Sequence, residues 1–539
     1  VDASVGTVGP RLTLVRTYNS LDPRRDLAFG AGWVTQFDMR VTPDDDGSGN
    51  AVVTYPDGQQ VRFGRNPDGT FAAPQGRAAT LVVSGTSYTL SDRAGVSYQF
   101  GGTGRLTKIS DAGQRSIVVS YDTTTGKLAK ATVSNSQTNT AGRALRFAWT
   151  GTHVTSVSTD PVGGVTPTWT YTYAGDLLNA VCAPNNQCTS YSYATGSHYR
   201  TAVLDSGAQS YWRLGEADGT AAASDIAVNL GKDAAVYRSV TLGAAGLPGA
   251  GGNPAGMFNG TSSVLELPKG ALKKSRDAAV ELWFKISAIQ TGGPLVGYQD
   301  ATLTGTVGTG VPLLYVGTDG RLRGQFRTGA ITPITSPGTV NNGAWHHVVL
   351  SSMGSTQTLW LDGVQVGTLT ATIDQSLLTF NQVGAAYASS PTSWPGWGSA
   401  ARRYFSGTID EVAVYNHPLG QAAVGTHNRL GAQAADQLVK VTLPSGRIAS
   451  EVSYNTSLDR VKEYTDTNGG TWKVGASTVY GGDTDLRRSV QVLDPANRPS
   501  LYEYDALAGR LLRSGSPLGL GTREEDLPGY PAPTPSPTP

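Results

Sequence analysis

AVELWFKI, Ala279 to Ile286, and TLWLDGVQVGTL, Thr358 to Leu369, decide how the chain is read. In the first, Val280, Leu282, Phe284 and Ile286 alternate with Glu281, Trp283 and Lys285, the period of a strand with one buried face. In the second, Asp362-Gly363 separates two apolar runs and accepts the positive φ that a tight hairpin turn needs. Together they predict an antiparallel β-sandwich in the middle of the chain, with a hairpin at Asp362-Gly363.

Composition extends the β reading to the flanks. At 539 residues the chain is long enough for three or more units. Its 68 glycines and a charged share of 15% go with turns and strands, and no long apolar pattern of period 3.6 occurs. A net charge of +1 gives no field that would favour nucleic acid or an anionic membrane. No run approaches the roughly 20 apolar residues of a spanning helix. The chain opens at Val1 with no signal peptide and finishes in PGYPAPTPSPTP, which reads as an extended linker, so both ends are expected to be cut from something longer.

Further blocks surround the two strands in a fixed order. They are YWRLGEADGT (Tyr211–Thr220), GMFNGTSSVLELP (Gly256–Pro268), NNGAWHHVVLS (Asn341–Ser351) and SGTIDEVAVYN (Ser406–Asn416). The set resembles a laminin-G-like, concanavalin A-type jelly roll. PLGQAAVGTHNRLGA, Pro418 to Ala432, then reads as one short helix leading out of it, with His417 and His427 in the exit and no ligand partner in view.

The segments before and after this insert resemble each other. GRLTKISDAGQRSIVVSYD (Gly104–Asp122) leads to TTTGKL, so that Leu106 recurs as Leu128, and RVKEYTDTNGGTWKV and RRSVQVLDPANRPSLYEYDALAGRLLRSG return to the same order of strand, polar turn and Tyr-rich strand. A period near 20 suits stacked β hairpins that need neighbours to bury their apolar faces, so the tyrosines are read as packing. Near the start, Arg16, Tyr18, Asn19, Gly30, Gly32 and Trp33 sit in LTLVRTYNSLDPRRDLAFGAGWVTQFDMRV, and TYPDGQQVRF and NPDGTF supply Asp-Gly turns of a meander. These segments resemble the opening module and repeats of the rearrangement-hotspot (Rhs) and YD-repeat proteins. That resemblance implies a hollow β shell around a C-terminal cargo, often a toxin, or an adhesion receptor. Asp160-Pro161-Val162-Gly163 and SPLGLGT near Ser516 depart from the shell-closing segment of that family and are read as turns, and the few repeats in view are expected to form part of a wall that encloses nothing.

Several residues stand out as candidate sites. Cys182 and Cys188 flank a Pro-Asn-Asn turn, within disulfide reach if a hairpin forms, with two unpaired thiols as the alternative. In TIDEVAVY, Asp410 falls on the same strand face as Val412 and Val414, where an unpaired carboxylate costs several kcal/mol. The jelly-roll resemblance implies Ca²⁺ at such a place, and the loop from Ala223 to Tyr237 offers Asp225, Asn229 and Asp233 as further oxygen ligands. Backbone amides, Arg402 or Arg403 are the alternative partners of Asp410. The loop SPTSWPGWGSAARRYF holds Trp394, Trp397, Arg402, Arg403 and Tyr404, a set suited to sugar stacking or a protein hot spot; the alternative is that the indoles only fold the loop onto the sheet. No alternating acidic run marks a glycosidase pair and no nucleophile elbow occurs, so catalysis is not expected, and the adjacent His346 and His347 point to opposite faces.

The sequence thus divides into an Rhs-type β module at 1–103, a repeat array at 104–205, the jelly roll at 206–432, more repeats at 433–520 and a linker at 521–539. The expected fold is all-β, a repeat sheet interrupted by a concanavalin A-like sandwich. The expected function is a non-enzymatic scaffold of a large secreted or cell-surface protein, with a toxin or other cargo downstream in the same polypeptide and the jelly roll binding a glycan or cell-surface protein. An adhesin without cargo and a carbohydrate-active enzyme are the rivals.

Overall fold

The computed structural model describes residues 2–523 except 7–9, 21, 23, 25, 26, 45–47, 75, 76, 114, 136–139, 273–276, 289–291, 375–377, 483, 484, 508, 509 and 516–520. The protein is all-β apart from short helices. Two expectations, the extended linker at the end and most of SPLGLGT, lie outside the described residues.

The repeats build one antiparallel sheet in chain order. It runs from Ala79–Ser84 to Cys188–Gly196, continues through Ala435–Thr442 to Gly521–Arg523, and closes back onto Ala79–Ser84. An open wall is what the sequence leads one to expect; closure follows from the twist that many tilted strands accumulate. Aromatic residues recur at register shifts in this sheet: Tyr121, Trp149, Tyr173, Tyr193 and Tyr454. A bulge re-aims its side chain. Each ring's polar atom donates to a carbonyl near the start of the preceding strand: Tyr121 to Leu106 at 2.9 Å, Trp149 to Leu128 at 2.7 Å, Tyr173 to Val154 at 2.7 Å, Tyr193 to Leu178 at 2.9 Å and Tyr454 to Leu438 at 3.1 Å.

The N-terminal module packs against one face of this wall. Phe29, Trp33 and Phe37 share a core with Phe147 and Tyr171 of the wall. The Arg16 guanidinium pairs with Asp2, lies 4.5 Å from the Trp33 ring and donates to the Tyr191 hydroxyl at 2.8 Å. Gly30 has φ of 91°, and a Cβ there would stand 2.6 Å from the Asp176 carbonyl, so the close approach to the wall requires glycine. The turns at Gly58 and Gly69 close the meander Arg40–Pro43, Ala51–Thr54, Gln60–Arg65 and Phe71–Ala72.

The insert is a sandwich of two 8-stranded sheets. Asp362 and Gly363 have φ of 51° and 78° and join Thr356–Leu361 to Val364–Thr370 in the expected hairpin. Strand Ala278–Lys285 is buried on both faces rather than one. Val280, Leu282 and Phe284 enter the sandwich core. Ala279 and Trp283 enter a second core, formed with helices α1 (Tyr199–Asp205) and α2 (Gln421–Ala432). Helix α2 is the exit helix read from the sequence; α1 has no such signal.

The splice between insert and wall is narrow. Strand Cys188–Gly196 pairs directly with Ala435–Thr442, Tyr191 opposite Val441, so the wall continues as if the insert were absent. Beside it, Cys182 and Cys188 face each other across a hairpin and form a disulfide.

Candidate functional site

The loop that holds the tryptophans folds back onto the sandwich. Trp394 and Trp397 are 5% and 1% exposed, edge-on to Tyr315 at 6.1 and 5.4 Å between centroids. Trp397 donates to the Ala400 carbonyl at 2.9 Å, and Arg403 lies over its ring at 5.5 Å while donating to its carbonyl at 2.8 Å. Burial lowers the Arg403 pKa. Arg402 and Tyr404 belong to a strand paired with Ala385–Tyr387. Of the two readings of this loop, the geometry matches the indoles folding it onto the sheet: two large rings bury more apolar area there than a polar loop could hold out in water.

The four expected calcium ligands do not converge on one point. Asp225 pairs with Arg200 at 2.5 Å. Asn229 donates to Asp233 at 2.6 Å and to the Gln209 carbonyl at 2.9 Å, which brings these two together. Asp410 accepts from the Leu247 amide at 3.2 Å. Its strand face is not the one the alternation gave, because a register shift and a φ of 53° at Glu411 pair Asp410 with Trp283 while Val412 and Val414 keep to the sandwich core. An inserted residue flips every side chain that follows it. Among the described residues, no group of three or more His, Cys, Asp or Glu side chains is placed to hold a metal ion.

The bulge turns Asp410 away from the sandwich core, and two buried charged centres lie on this side of the sandwich, where its helices pack. Glu281 is fully buried. It accepts from His347 at 2.8 Å, from His427 at 3.0 Å, and from the hydroxyls of Tyr199 and Tyr415 at 3.0 and 2.7 Å. Burial by itself would raise its pKa, but the His427 charge and the two imidazole hydrogen bonds hold it well below the usual carboxylate range. His427 is raised: its burial is outweighed by the charge and hydrogen bond of Glu281. A second centre joins Glu411 to Arg213 at 2.9 Å and to the Tyr211 hydroxyl. Arg213 also donates to carbonyls of Ser457 in the wall and Ala250 in the insert. Burial, then the Glu411 charge, push the Asp410 carboxyl well above its ordinary range.

Ser206, His427 and Glu281 stand in the order of a nucleophile, a base and an orienting acid, with Ser206 Oγ 2.9 Å from His427 Nε2. The same Nε2 lies 3.1 Å from the Ala202 carbonyl, which can only accept. With Nδ1 facing Glu281, the ring donates from both nitrogens and Ser206 receives a hydrogen bond; taking a proton from Ser206 would need a free Nε2 lone pair. Neither centre stood out in the sequence. The available signal was Glu281 and Trp283 alternating within one strand, an acid and an indole that only a covered outer face would hold together.

Comparison with known proteins places the insert. Residues 259–425 match the model described as the concanavalin A-like lectin/glucanases superfamily. Residues 1–63 match a domain of unknown function. The tRNA nuclease WapA of Bacillus subtilis and the tRNA(Glu)-specific nuclease WapA of its natto subspecies are each 32% identical over 122 residues. That alignment covers 22% of this chain and 5% of the relative, so the chain spans about a twentieth of the curated relatives it matches. A Trypanosoma rangeli sialidase aligns over 71% of this chain and 69% of its own at 11% identity and TM-score 0.31. Domain 4 of an extracellular arabinanase from Geobacillus stearothermophilus, in complex with arabinotriose, aligns over 44% and 97% at 16% identity and TM-score 0.23.

Proposed function

We propose that a concanavalin A-like module spliced into a β wall is here a recognition device, binding a glycan or a protein of a target or neighbouring cell, on a large secreted or cell-surface protein of the YD-repeat kind. The splice carries this reading: wall strands on either side pair with each other, so the module is mounted without interrupting the wall. Support for the YD-repeat kind comes from hairpins with aromatics at recurring bulges and from the identity to nucleases of the WapA name. A cargo domain downstream in the same polypeptide, which such a wall would shelter, follows from that reading. The disulfide favours an oxidising compartment. No helix among the described residues is long and apolar enough to cross a membrane. Favouring binding over catalysis, the Glu281 and Glu411 carboxylates are fully buried and engaged by cationic side chains.

The test compares the full chain with a variant in which residues 197–434 are replaced by a short Gly-Ser turn between the paired strands. On a glycan array and on intact cells, binding by the full chain and none by the variant is expected. Equal binding by both removes the module from the reading, and release of sugar from a polysaccharide by the full chain favours a carbohydrate-active enzyme.

A further inference from the structure

The inner face of the wall changes character partway round. Strand pairings put Tyr193 and Leu438, which lie against the N-terminal module, on one face with Tyr454, Val474, Val490 and Tyr504. Where Val474, Val490 and Tyr504 stand, that face is only half-buried and holds a cavity of about 420 Å³. A volume in the range of small-ligand sites makes room for more than solvent.

Two arginines, Arg460 and Arg488, line this cavity. Neither has an acidic partner among the described residues, and Arg488 Nε is buried with no acceptor. Asp505, at the same cavity, has Oδ1 engaged by the Leu507 amide. Arg460 is disfavoured as a cation by burial, then by the charges of Arg200 and Arg488, with Asp225 opposing. Three more deeply buried guanidinium groups are matched: Arg16 by Asp2, Arg200 by Asp225, Arg213 by Glu411. Two half-buried guanidinium groups at one cavity repel each other, and an anion between them relieves that repulsion.

We infer that this cavity is an oxyanion site in which Arg460 and Arg488 bind a carboxylate or phosphate group presented to the inner face of the wall. The planar fork of a guanidinium fits both groups with paired N–H donors. One source is on the chain itself, the acidic run Glu524-Glu525-Asp526 that follows the last described wall strand in sequence. The other is a free anion. The site is independent of whatever the sandwich binds.

Calorimetric titration of inorganic phosphate into the full chain, and into a Glu524→Gln, Glu525→Gln, Asp526→Asn variant, separates the sources. Saturable binding is expected in at least the neutralised chain, weakened tenfold or more by Arg488→Gln and, as a second variant, by Arg460→Gln, each with an unchanged far-ultraviolet β spectrum. Binding at least tenfold tighter to the neutralised chain identifies the acidic run as the native occupant. Equal binding to both chains identifies a free anion. Absence of saturable binding in both, or binding indifferent to both arginines, overturns the site.

Discussion

Glu281 concentrates the energetics of the junction between sandwich and helices in one residue. Its carboxylate serves two imidazoles and two phenols with no water exposure, so Glu281→Gln removes the countercharge and leaves His427 buried as an unpaired cation. Breaking a buried pair this way costs about 3–5 kcal/mol, which chemical denaturation of the two chains would read. The pH dependence has a definite sign. The folded Glu281 pKa lies below its ordinary 4.5, so its stabilisation is present above 4.5 and is lost as pH falls through the depressed folded value. The folded His427 pKa lies above its ordinary 6.5, so its contribution is full below 6.5 and is lost as pH rises through the raised value. The stability difference between native chain and Glu281→Gln should therefore be greatest between these limits and shrink at both ends; a difference independent of pH would refute the ionised pair. Both residues were visible in the sequence, Glu281 as the polar member of an alternating strand and His427 on the exit helix. Their meeting was not, because it depends on how the exit helix packs back onto the outer face of the sandwich, which no local pattern encodes.

At the scale of the element, the bulge explains both what the sequence revealed and what it hid. The hairpin at Asp362-Gly363 and the Tyr-rich repeat were legible because turn chemistry and period are local. The face of Asp410 was misread because alternation assumes an unbroken ladder, and the positive φ at Glu411, a non-glycine residue, carries no sequence mark. The tryptophan loop was likewise ambiguous, since an indole near arginines suits solvent or sheet equally until Tyr315 is seen beneath it. Two predictions belong here. Tyr193→Phe should cost more than Tyr121→Phe: each loses a hydroxyl bonded to a backbone carbonyl, about 1 kcal/mol, but only Tyr193 also accepts from Trp33 Nε1, at 2.8 Å. Stranding that buried donor adds roughly 1–3 kcal/mol, so urea midpoints should rank the two variants, and equal midpoints would show the Trp33 bond to be idle. Reducing Cys182–Cys188, which closes a loop with a sequence separation of 6, should cost roughly 2 kcal/mol by loop entropy. Because the bond staples a single hairpin, hydrogen exchange should quicken at Leu177–Gly196 and stay unchanged in the sandwich.

Over the whole molecule, the seam decides whether module and wall act as one body. A module tethered only by its two chain connections would unfold by itself and would swing on the wall. Here the loop at 455–460 reaches into the insert: Asp459 accepts from Thr201 at 3.0 Å, Thr456 donates to the Gly251 carbonyl at 3.1 Å, and Arg213 links the Ser457 carbonyl to Glu411. On the insert side of these bonds Tyr199, Val203, Leu247, Trp283 and Leu430 form one apolar core between the sandwich and its two helices. Hydrogen bonds that cross the seam from so ordered a base couple the unfolding of the parts they join, so differential scanning calorimetry of the native chain should show one transition for sandwich and wall. Arg213→Ala strands Glu411 beside Asp410 without its countercharge and cuts the bond to the wall, a loss of about 3–5 kcal/mol at the seam itself. Its effect should be to split the transition, the sandwich melting first while the wall, whose strands pair without it, melts near its former temperature. Two transitions in the native chain would mean that the seam bonds contribute too little to join the parts, and the module would then be carried as a tethered domain and not as a fixed face of the wall.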